Sequence, residues 1–261
     1  VFTTTMPRSP IQRHGLLSVN ALRGAAISHN AMITNTPKKI DRRIVPSFCI
    51  MLSDMIDILF DGPKTAAHTL VLAHGAGAPM DSPFMDTFAA GLGARGIRIA
   101  RFEFPYMVNR RATGKNRPPD RQPILLQTWR DVIAQLGDHP IAVGGKSMGG
   151  RMASLLAAEP DAPNISALVC LGYPFHPPGK PDRLRTEHLA ALASPTLIVQ
   201  GERDALGNRD EVEGYTLSKS IYLHWCPDGN HDLTPRKRSG HTQEANWDGA
   251  MDAVAGFLAS I

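Results

Sequence analysis

The sequence predicts an α/β fold in which a mostly parallel sheet is covered by helices on both faces. Its 261 residues suffice for one large domain with a sizeable core. Short apolar runs, typical of strands buried on both faces, alternate with segments whose apolar residues recur at helical spacing. Such alternation indicates parallel strands joined by crossover helices. The sequence shows no internal repeat and no second domain.

The strands are predicted from short apolar runs. The first run is closed by the turn-forming residues Asp61, Gly62 and Pro63. The predicted strands are residues 55–60, 69–73, 97–102, 141–143, 167–171, 196–200 and 221–225.

Helices are predicted between these strands. Ser82 is an expected N-cap with Pro83 as the first helical residue. The apolar faces consist of Phe84, Met85, Phe88, Ala89 and Leu92, then Ile124, Leu125, Trp129, Val132, Ile133 and Leu136, then Met148, Met152, Leu155 and Leu156, and finally Trp247, Ala250, Met251, Val254, Phe257 and Leu258. The basic segment 105–121 and the proline-rich segment 173–188 are predicted as loops.

The N-terminal segment has a different composition from the rest of the chain. Residues 1–50 hold seven Lys and Arg residues against one acid, so they carry the whole positive charge of a chain whose formal net charge is +4. We predict a basic, disordered extension over residues 1–50 and a folded domain over 51–261. A transit peptide, a disordered tail and upstream sequence from a misassigned start are the three interpretations of the extension. The high pI therefore gives little support to nucleic-acid binding.

The cysteines and the apolar runs indicate the cellular environment in which we expect the protein. Cys49, Cys170 and Cys226 are an odd set without paired spacing, which predicts neither a disulfide framework nor a zinc site. We therefore expect a reducing, cytoplasmic compartment. No apolar run reaches the length of a membrane span, so we expect no membrane partner.

One five-residue motif predicts a nucleophile. Residues 145–149 read Gly-Lys-Ser-Met-Gly and fit G-x-S-x-G, with a predicted strand before them and a helical pattern after them. In this setting the glycines permit a tight strand-to-helix turn, with Ser147 exposed at its apex beside the amides of the helix N-terminus. The alternative is a glycine-rich turn in which Ser147 only caps the helix.

Two nucleotide-binding motifs are excluded by their context. Gly91, Gly93 and Gly96 form G-x-G-x-x-G, but they close a helix, whereas a dinucleotide fingerprint opens one. The Gly-Lys-Ser at residues 145–147 ends like a phosphate-binding loop, but Pro140 stands where that motif requires glycine.

A base and an acid are expected at the ends of later strands. A serine hydroxyl needs a neighbouring base and an acid that orients the base, and in a parallel sheet these lie after carboxyl ends of strands. Asp204 follows the strand 196–200, and His231 follows the strand 221–225. The order serine, aspartate, histidine is one that such triads use.

Other residues compete for these two roles. Glu202 and Asp228 are alternative acids, and their simplest interpretation is as solvated loop residues. Among the other histidines, His224 lies within a strand and His241 opens the last helix, so we predict structural roles for both.

Acyl transfer also requires two amide donors for the oxyanion. The residue after the nucleophile supplies one, and the loop after the strand 69–73 supplies the other. We predict Met148 and Ala76, with Gly75 as the next choice. His74, on the same loop, is predicted to shape it.

Basic residues gather on loops at the predicted carboxyl edge of the sheet. We predict that Lys146, Arg110 and Arg151 contact the substrate, and that the substrate carries negative charge near its acyl group. The alternative is that these side chains are solvated or paired with acids.

Six stretches together resemble a known family. They read LVLAHGAGAPMDSPFM, RFEFPYM, GGKSMGGRMAS, LVCLGYPFHPPGKP, TLIVQGERD and DGNHDL. They resemble the bacterial α/β-hydrolases related to dienelactone hydrolase. They are more similar still to the α/β-hydrolase-like domain shared with the third regulatory subunit of the non-specific-lethal acetyltransferase complex. The resemblance spans residues 55–260.

The resemblance implies a small α/β-hydrolase fold with Ser147, Asp204 and His231 as the triad. The segment between Leu171 and Thr196 is too short for a large lid domain. We predict a serine hydrolase of the carboxylic ester class that uses an acyl-serine, a small-molecule acyl substrate and no cofactor. Since some members of this family resemble scaffolds, the alternative is a non-catalytic binding domain with the same fold.

Overall fold

The computed structural model describes residues 55–137 and 140–261. The predicted extension over residues 1–50 lies outside the described residues. Within them, one sheet is formed by β1 (Ile58–Asp61), β2 (Thr69–Ala73), β3 (Arg98–Phe102), β4 (Ile141–Lys146), β5 (Ile165–Leu171), β6 (Thr196–Gly201) and β7 (Ile221–Cys226).

Helices occupy the intervals between the strands. They are α1 (Pro83–Ala94), α2 (Pro105–Thr113), α3 (Gln122–Leu136), α4 (Met148–Ala157), α5 (Arg209–Glu213) and α6 (Gln243–Ala259). A short 3-10 helix, Glu187–Leu189, lies in the connection between β5 and β6, which contains no lid domain.

The order of strands in the sheet is β1-β3-β2-β4-β5-β6-β7. Strands β2 to β7 are parallel, and only β1 pairs antiparallel, against β3. The carboxyl ends of β2 and β4 to β7 therefore meet at one edge, where ligand sites of parallel sheets lie. This arrangement confirms the predicted α/β fold.

The core has two layers, one on each face of the sheet. Because side chains alternate along a strand, Val71 packs into one layer and Leu72 into the other. Trp129 of α3 is fully buried in the first layer, and Phe88 of α1 is fully buried in the second. Burial of apolar surface on both faces explains why the central strands read as unbroken apolar runs.

The segment predicted as a loop over residues 105–121 begins with a helix. Pro105 is the first residue of α2, where its missing N–H group costs no hydrogen bond, and Gly114 ends the helix in the left-handed conformation. The prediction was wrong because the helix is short and its sequence is mostly polar and basic. Only Tyr106 and Met107 of α2 are buried, which is too few for a helical apolar pattern.

The turn from β4 into α4 has a strained backbone at its centre. Ser147 has φ 53° and ψ −113°, a conformation that side-chain-bearing residues rarely adopt. The turn also brings α4 very close to β2: a Cβ atom on Gly149 would lie 2.4 Å from the carbonyl oxygen of Ala73. Only glycine fits at this position.

We predict that Gly149→Ala lowers the free energy of unfolding by about 2–3 kcal/mol, because the new methyl group forces backbone apart at a well-packed contact. Gly256→Ala in α6 is the matched control, since its methyl group would meet no atom within 4 Å. The control should be neutral or stabilise by up to about 1 kcal/mol. Urea unfolding of both variants measures the difference, and equal stability would contradict the close approach.

Candidate active site

Three strand ends position the predicted nucleophile, acid and base. Ser147 directly follows β4, Asp204 lies in the turn after β6, and His231 lies in the loop after β7. The structure brings all three side chains together.

The three side chains form a continuous hydrogen-bonded chain. Ser147 Oγ lies 2.8 Å from His231 Nε2, and His231 Nδ1 lies 2.8 Å from Asp204 Oδ2. Because a carboxylate can only accept, Nδ1 carries the proton and Nε2 is left to accept from the serine hydroxyl. This tautomer is the one that a general base beside a serine requires.

Asp204 is fully buried and held from two sides. Its Oδ1 accepts from the N–H group of Leu206 at 2.9 Å, and its Oδ2 accepts from Gln200 Nε2 at 2.9 Å. Gln200, also fully buried, donates further to the carbonyl oxygen of Gly207 at 3.0 Å. Gln200 is not among the residues predicted from the sequence, although an amide side chain inside the apolar strand β6 is a usable signal.

The competing acids have other partners. Glu202 forms a salt bridge with Arg209 at 3.0 Å, and Asp228 forms salt bridges with Arg203 at 2.8 Å and Arg236 at 2.5 Å. The hydrogen bond from Arg236, the largest cause, lowers the pKa of Asp228 to about 2. Both acids thus stabilise the loops around the site.

A second serine and histidine also lie in contact, but they lack the features of a nucleophile and its base. Ser154 Oγ lies 2.9 Å from His188 Nε2, yet it donates its proton to the carbonyl oxygen of Arg151 at 2.8 Å. Ser154 is fully buried within α4, and in the described residues no carboxylate contacts His188. The pair is therefore part of the packing of α4.

His74 is buried and shapes the loop after β2, as the sequence predicts. Its Nε2 accepts from the N–H group of Phe104 at 3.2 Å, so Nδ1 donates to the carbonyl oxygen of Gly75 at 2.7 Å. Burial lowers the pKa of His74 and keeps the ring neutral.

Tyr106 of α2 holds the same loop, and no local sequence pattern singles this residue out. Its hydroxyl group donates to the carbonyl oxygens of Ala76 at 3.0 Å and Gly75 at 3.3 Å. Arg111, on the same helix, pairs with the buried Glu103 at 2.7 Å and with Asp81 at 2.5 Å, which anchors α2 beside the loop.

A cavity of about 270 Å³ opens at the serine. It lies between the loop after β2, the start of α1 and the loop after β7. Its lining includes Ala76, Phe84, Met85, Lys146, Ser147 and His231. A small acyl group fits such a volume.

Lys146 lines this cavity, but its ammonium group already has partners within the protein. Its ammonium group donates to the carbonyl oxygen of His231 and forms a salt bridge with Asp232 at 3.1 Å. Burial lowers the pKa of Lys146, and the Asp232 carboxylate opposes that effect. Its side chain ties β4 to the loop that carries His231, and the contact between Lys146 and an anionic substrate stays a prediction.

The other two predicted substrate-binding residues, Arg110 and Arg151, have different surroundings. Arg110 lines a neighbouring cavity of about 520 Å³ and donates to the carbonyl oxygen of Gly77 at 3.1 Å. Arg151 lies in the first turns of α4, one helical turn after Ser147, and its Nε atom is buried without a hydrogen-bond partner in the described residues.

The described residues contain neither a candidate metal cluster nor a candidate membrane-spanning helix. Within residues 55–137 and 140–261, no group of three or more His, Cys, Asp or Glu side chains could hold a metal ion. Across the same residues, no helix has both the length and the apolarity needed to cross a membrane.

Comparisons with known proteins agree with this architecture. A family model described as an alpha/beta hydrolase domain matches residues 66–259. Est1E from Butyrivibrio proteoclasticus is similar at 16% identity and TM-score 0.58, over 78% of this chain and 98% of that one. Dienelactone hydrolase from Anabaena variabilis is similar at 22% identity and TM-score 0.54, over 78% and 88%.

A third similar structure is an alpha-beta serine hydrolase homologue from Coxiella burnetii. It shares 18% identity at TM-score 0.56, over 77% of this chain and 90% of that one. At these identities the three likenesses show the fold alone.

We predict that Asp232→Asn lowers the free energy of unfolding by about 1–2 kcal/mol, because it leaves the buried Lys146 ammonium group without its carboxylate partner. The loss stays below that of a fully buried pair because the Asp232 side chain is 64% exposed. Asp182→Asn, at an exposed acid without a side-chain partner in the described residues, is the control. If chemical unfolding gives equal stability for both variants, Lys146 does not depend on Asp232.

Proposed function

The chain belongs to the alpha/beta hydrolase domain family, and on this basis we propose that it is a serine hydrolase acting on carboxylic esters or related acyl compounds. The observation that carries the proposal is the chain of two 2.8 Å contacts from Ser147 Oγ through His231 to Asp204. The adjoining cavity gives a small acyl group access to the serine.

The proposed reaction passes through an acyl-serine. Ser147 Oγ attacks the acyl carbon while His231 Nε2 accepts the hydroxyl proton, and the carbonyl oxygen becomes an oxyanion. His231 then gives that proton to the leaving alcohol as the carbon–oxygen bond breaks. A water molecule, deprotonated by His231, attacks the acyl-serine, and the acid leaves as the proton returns to Ser147. Asp204 orients the ring and stabilises its protonated form.

Two backbone amides are proposed to bind the oxyanion, those of Met148 and Ala76. The carbonyl oxygen of Gly75 accepts from His74 and Tyr106. Because a trans peptide is planar, its N–H group points away from its carbonyl oxygen. Clamping the Gly75 carbonyl therefore also fixes the direction of the Ala76 amide, which supports its assignment as a donor.

The finer family resemblance remains a proposal as well. We propose that the chain is related to dienelactone hydrolases and to the domain shared with the third regulatory subunit of the non-specific-lethal complex. The six sequence stretches that carry the resemblance support it, and they include Ser147, Asp204 and His231.

We predict that Ser147→Ala and His231→Ala each lower kcat/KM for a small 4-nitrophenyl ester by about 10⁴-fold or more, because triad members act as a unit. Asp204→Asn should also be severe, since it favours the wrong tautomer of His231. Glu202→Gln is the matched acid control and should stay within about threefold of wild type. Retained turnover in the Ser147 or His231 variant would contradict the triad.

Labelling with a fluorophosphonate separates the hydrolase from a non-catalytic domain of the same fold. The wild type and Ser154→Ala should label at Ser147, and Ser147→Ala should not. Label on Ser154 would transfer the role to the second serine–histidine pair, and absence of any label would favour a binding domain.

We predict that Tyr106→Phe lowers kcat for the same ester by about tenfold, because it removes one donor from the loop that presents the Ala76 amide. KM should change little, since the hydroxyl group lies behind the loop. A matched Tyr222→Phe variant, at an exposed tyrosine on β7, should leave kcat unchanged. Steady-state kinetics test this, and an unchanged kcat for Tyr106→Phe would remove Tyr106 from the positioning of the loop.

A further inference from the structure

Two half-buried arginines lack acidic partners among the described residues: Arg151 lies one helical turn after the proposed nucleophile, and Arg185 lies in the connection after β5. In the described part of the chain, neither guanidinium group of Arg151 and Arg185 forms a salt bridge or donates a hydrogen bond, and Arg151 Nε is buried. By contrast, carboxylates within salt-bridge distance engage Arg95, Arg101, Arg111, Arg130, Arg203, Arg209 and Arg236.

The backbones of both arginines are tied to one network of hydroxyl groups. Ser154 Oγ donates to the carbonyl oxygen of Arg151 at 2.8 Å, and it lies 3.4 Å from the hydroxyl oxygen of Tyr173. The Tyr173 hydroxyl group contacts the carbonyl oxygen of Arg185 at 3.3 Å. The Arg185 N–H group donates to the carbonyl oxygen of Phe175 at 2.7 Å, which closes the loop after β5. The two side chains therefore start from fixed positions.

The surroundings of these arginines are short of negative charge. Burial lowers the pKa of Arg185, and the positive charge of Arg151 adds to the effect. Burial also lowers the pKa of His188 to about 4, again with a contribution from Arg151, so this ring is neutral at pH 7. Two half-buried cations that repel each other and have no anion among the described residues are unfavourable. A bound anion would relieve their repulsion and would give the buried Nε atom of Arg151 a hydrogen-bond partner.

We propose that Arg151 and Arg185 bind a carboxylate carried by the acyl group of the substrate. The proposal rests on the proposed function for its link to Ser147. Guanidinium groups grip carboxylates with paired hydrogen bonds, which suits two arginines that have no other partner.

The position of Arg151 sets the kind of acyl group. Its N–H group donates to the carbonyl oxygen of Ser147 at 3.0 Å, and the Cβ atoms of residues one helical turn apart lie about 5–6 Å from each other. A long arginine side chain that begins this close to Ser147 reaches a carboxylate separated from the scissile carbonyl by a few methylene groups. The substrate class is therefore a half ester of a short dicarboxylic acid, or a related acyl compound with a terminal carboxylate.

The test compares two esters with the same acyl length, mono-4-nitrophenyl glutarate and 4-nitrophenyl valerate. Arg151→Gln and Arg185→Gln should each lower kcat/KM for the glutarate ester by about tenfold to a hundredfold, as expected for losing hydrogen bonds to a charged group. On valerate the same variants should stay within about twofold. Arg151→Lys keeps the charge without the fork of donors, so it should recover part of the loss.

Arg183→Gln is the matched control, because it removes an exposed arginine of the same loop. It should change neither ester by more than about twofold. A parallel fall on both esters in Arg151→Gln and Arg185→Gln would indicate a structural role and overturn the proposal. If the ratio of kcat/KM for the two esters were unchanged in those variants, that result would overturn the proposal too.

Binding measured without turnover keeps this proposal separate from the proposed function. Calorimetry with free glutarate and Ser147→Ala protein should show one bound anion, which is lost when Arg151→Gln or Arg185→Gln is added. If neither ester is hydrolysed but this binding holds, the hydrolase proposal fails and the anion site stands. Binding of inorganic phosphate in place of glutarate, with no ester selectivity, would show a site for free anions and overturn the substrate role. Absence of binding together with absence of ester selectivity would overturn the site itself.

Discussion

The arrangement of the site depends on the close approach of β2, β4 and α4 around Ser147. The backbone of Ser147 is strained, and such strain persists only where the surrounding structure holds it. Here Gly149 lets the helix meet the carbonyl group of Ala73, and Gly145 lets β4 meet the same group. The contact energy of the central sheet thereby supports a local conformation that is unfavourable on its own, and the serine hydroxyl is directed to the edge where the other strands end.

Ion pairs in the described residues fix the loops at that edge. Lys146 joins β4 to the loop of His231, and Arg111 with Glu103 anchors α2 behind the loop that carries Ala76. Both Lys146 and Arg111 therefore have structural roles. Arg151 and Arg185 stand apart because no carboxylate of the described chain neutralises them, although other charged groups of the site have partners. From the sequence alone, all of these basic residues are equally good candidates for binding an anion. Their contacts in the structure separate the cations that already have a carboxylate partner from those that have none.

The sequence was sufficient to predict the fold and to predict that Ser147, Asp204 and His231 come together, and the reason is physical. Buried strands and amphipathic helices leave strong periodic patterns, and side chains at strand ends converge once the sheet is parallel. It was insufficient for α2, whose nine residues bury only two side chains, and for the salt bridge between Lys146 and Asp232, since the two residues lie far apart along the chain. The contacts of Tyr106 and Arg185 on which their proposed roles rest form only after folding, so no local pattern distinguishes these residues.

Helix α4 links the two parts of the site that the proposals describe. Its N-terminus follows Ser147, and Arg151 lies one turn later, so helix geometry rather than a loop sets where the Arg151 side chain begins relative to the nucleophile. The helix is packed against β4 and β5 and contacts the 3-10 helix that follows Arg185. A rigid element of this kind measures the spacing between two groups of a ligand. Under these proposals the enzyme discriminates between acyl substrates by the length between the scissile carbonyl and the carboxylate. A shorter or longer acyl chain would reach either Ser147 or the arginines, but not both.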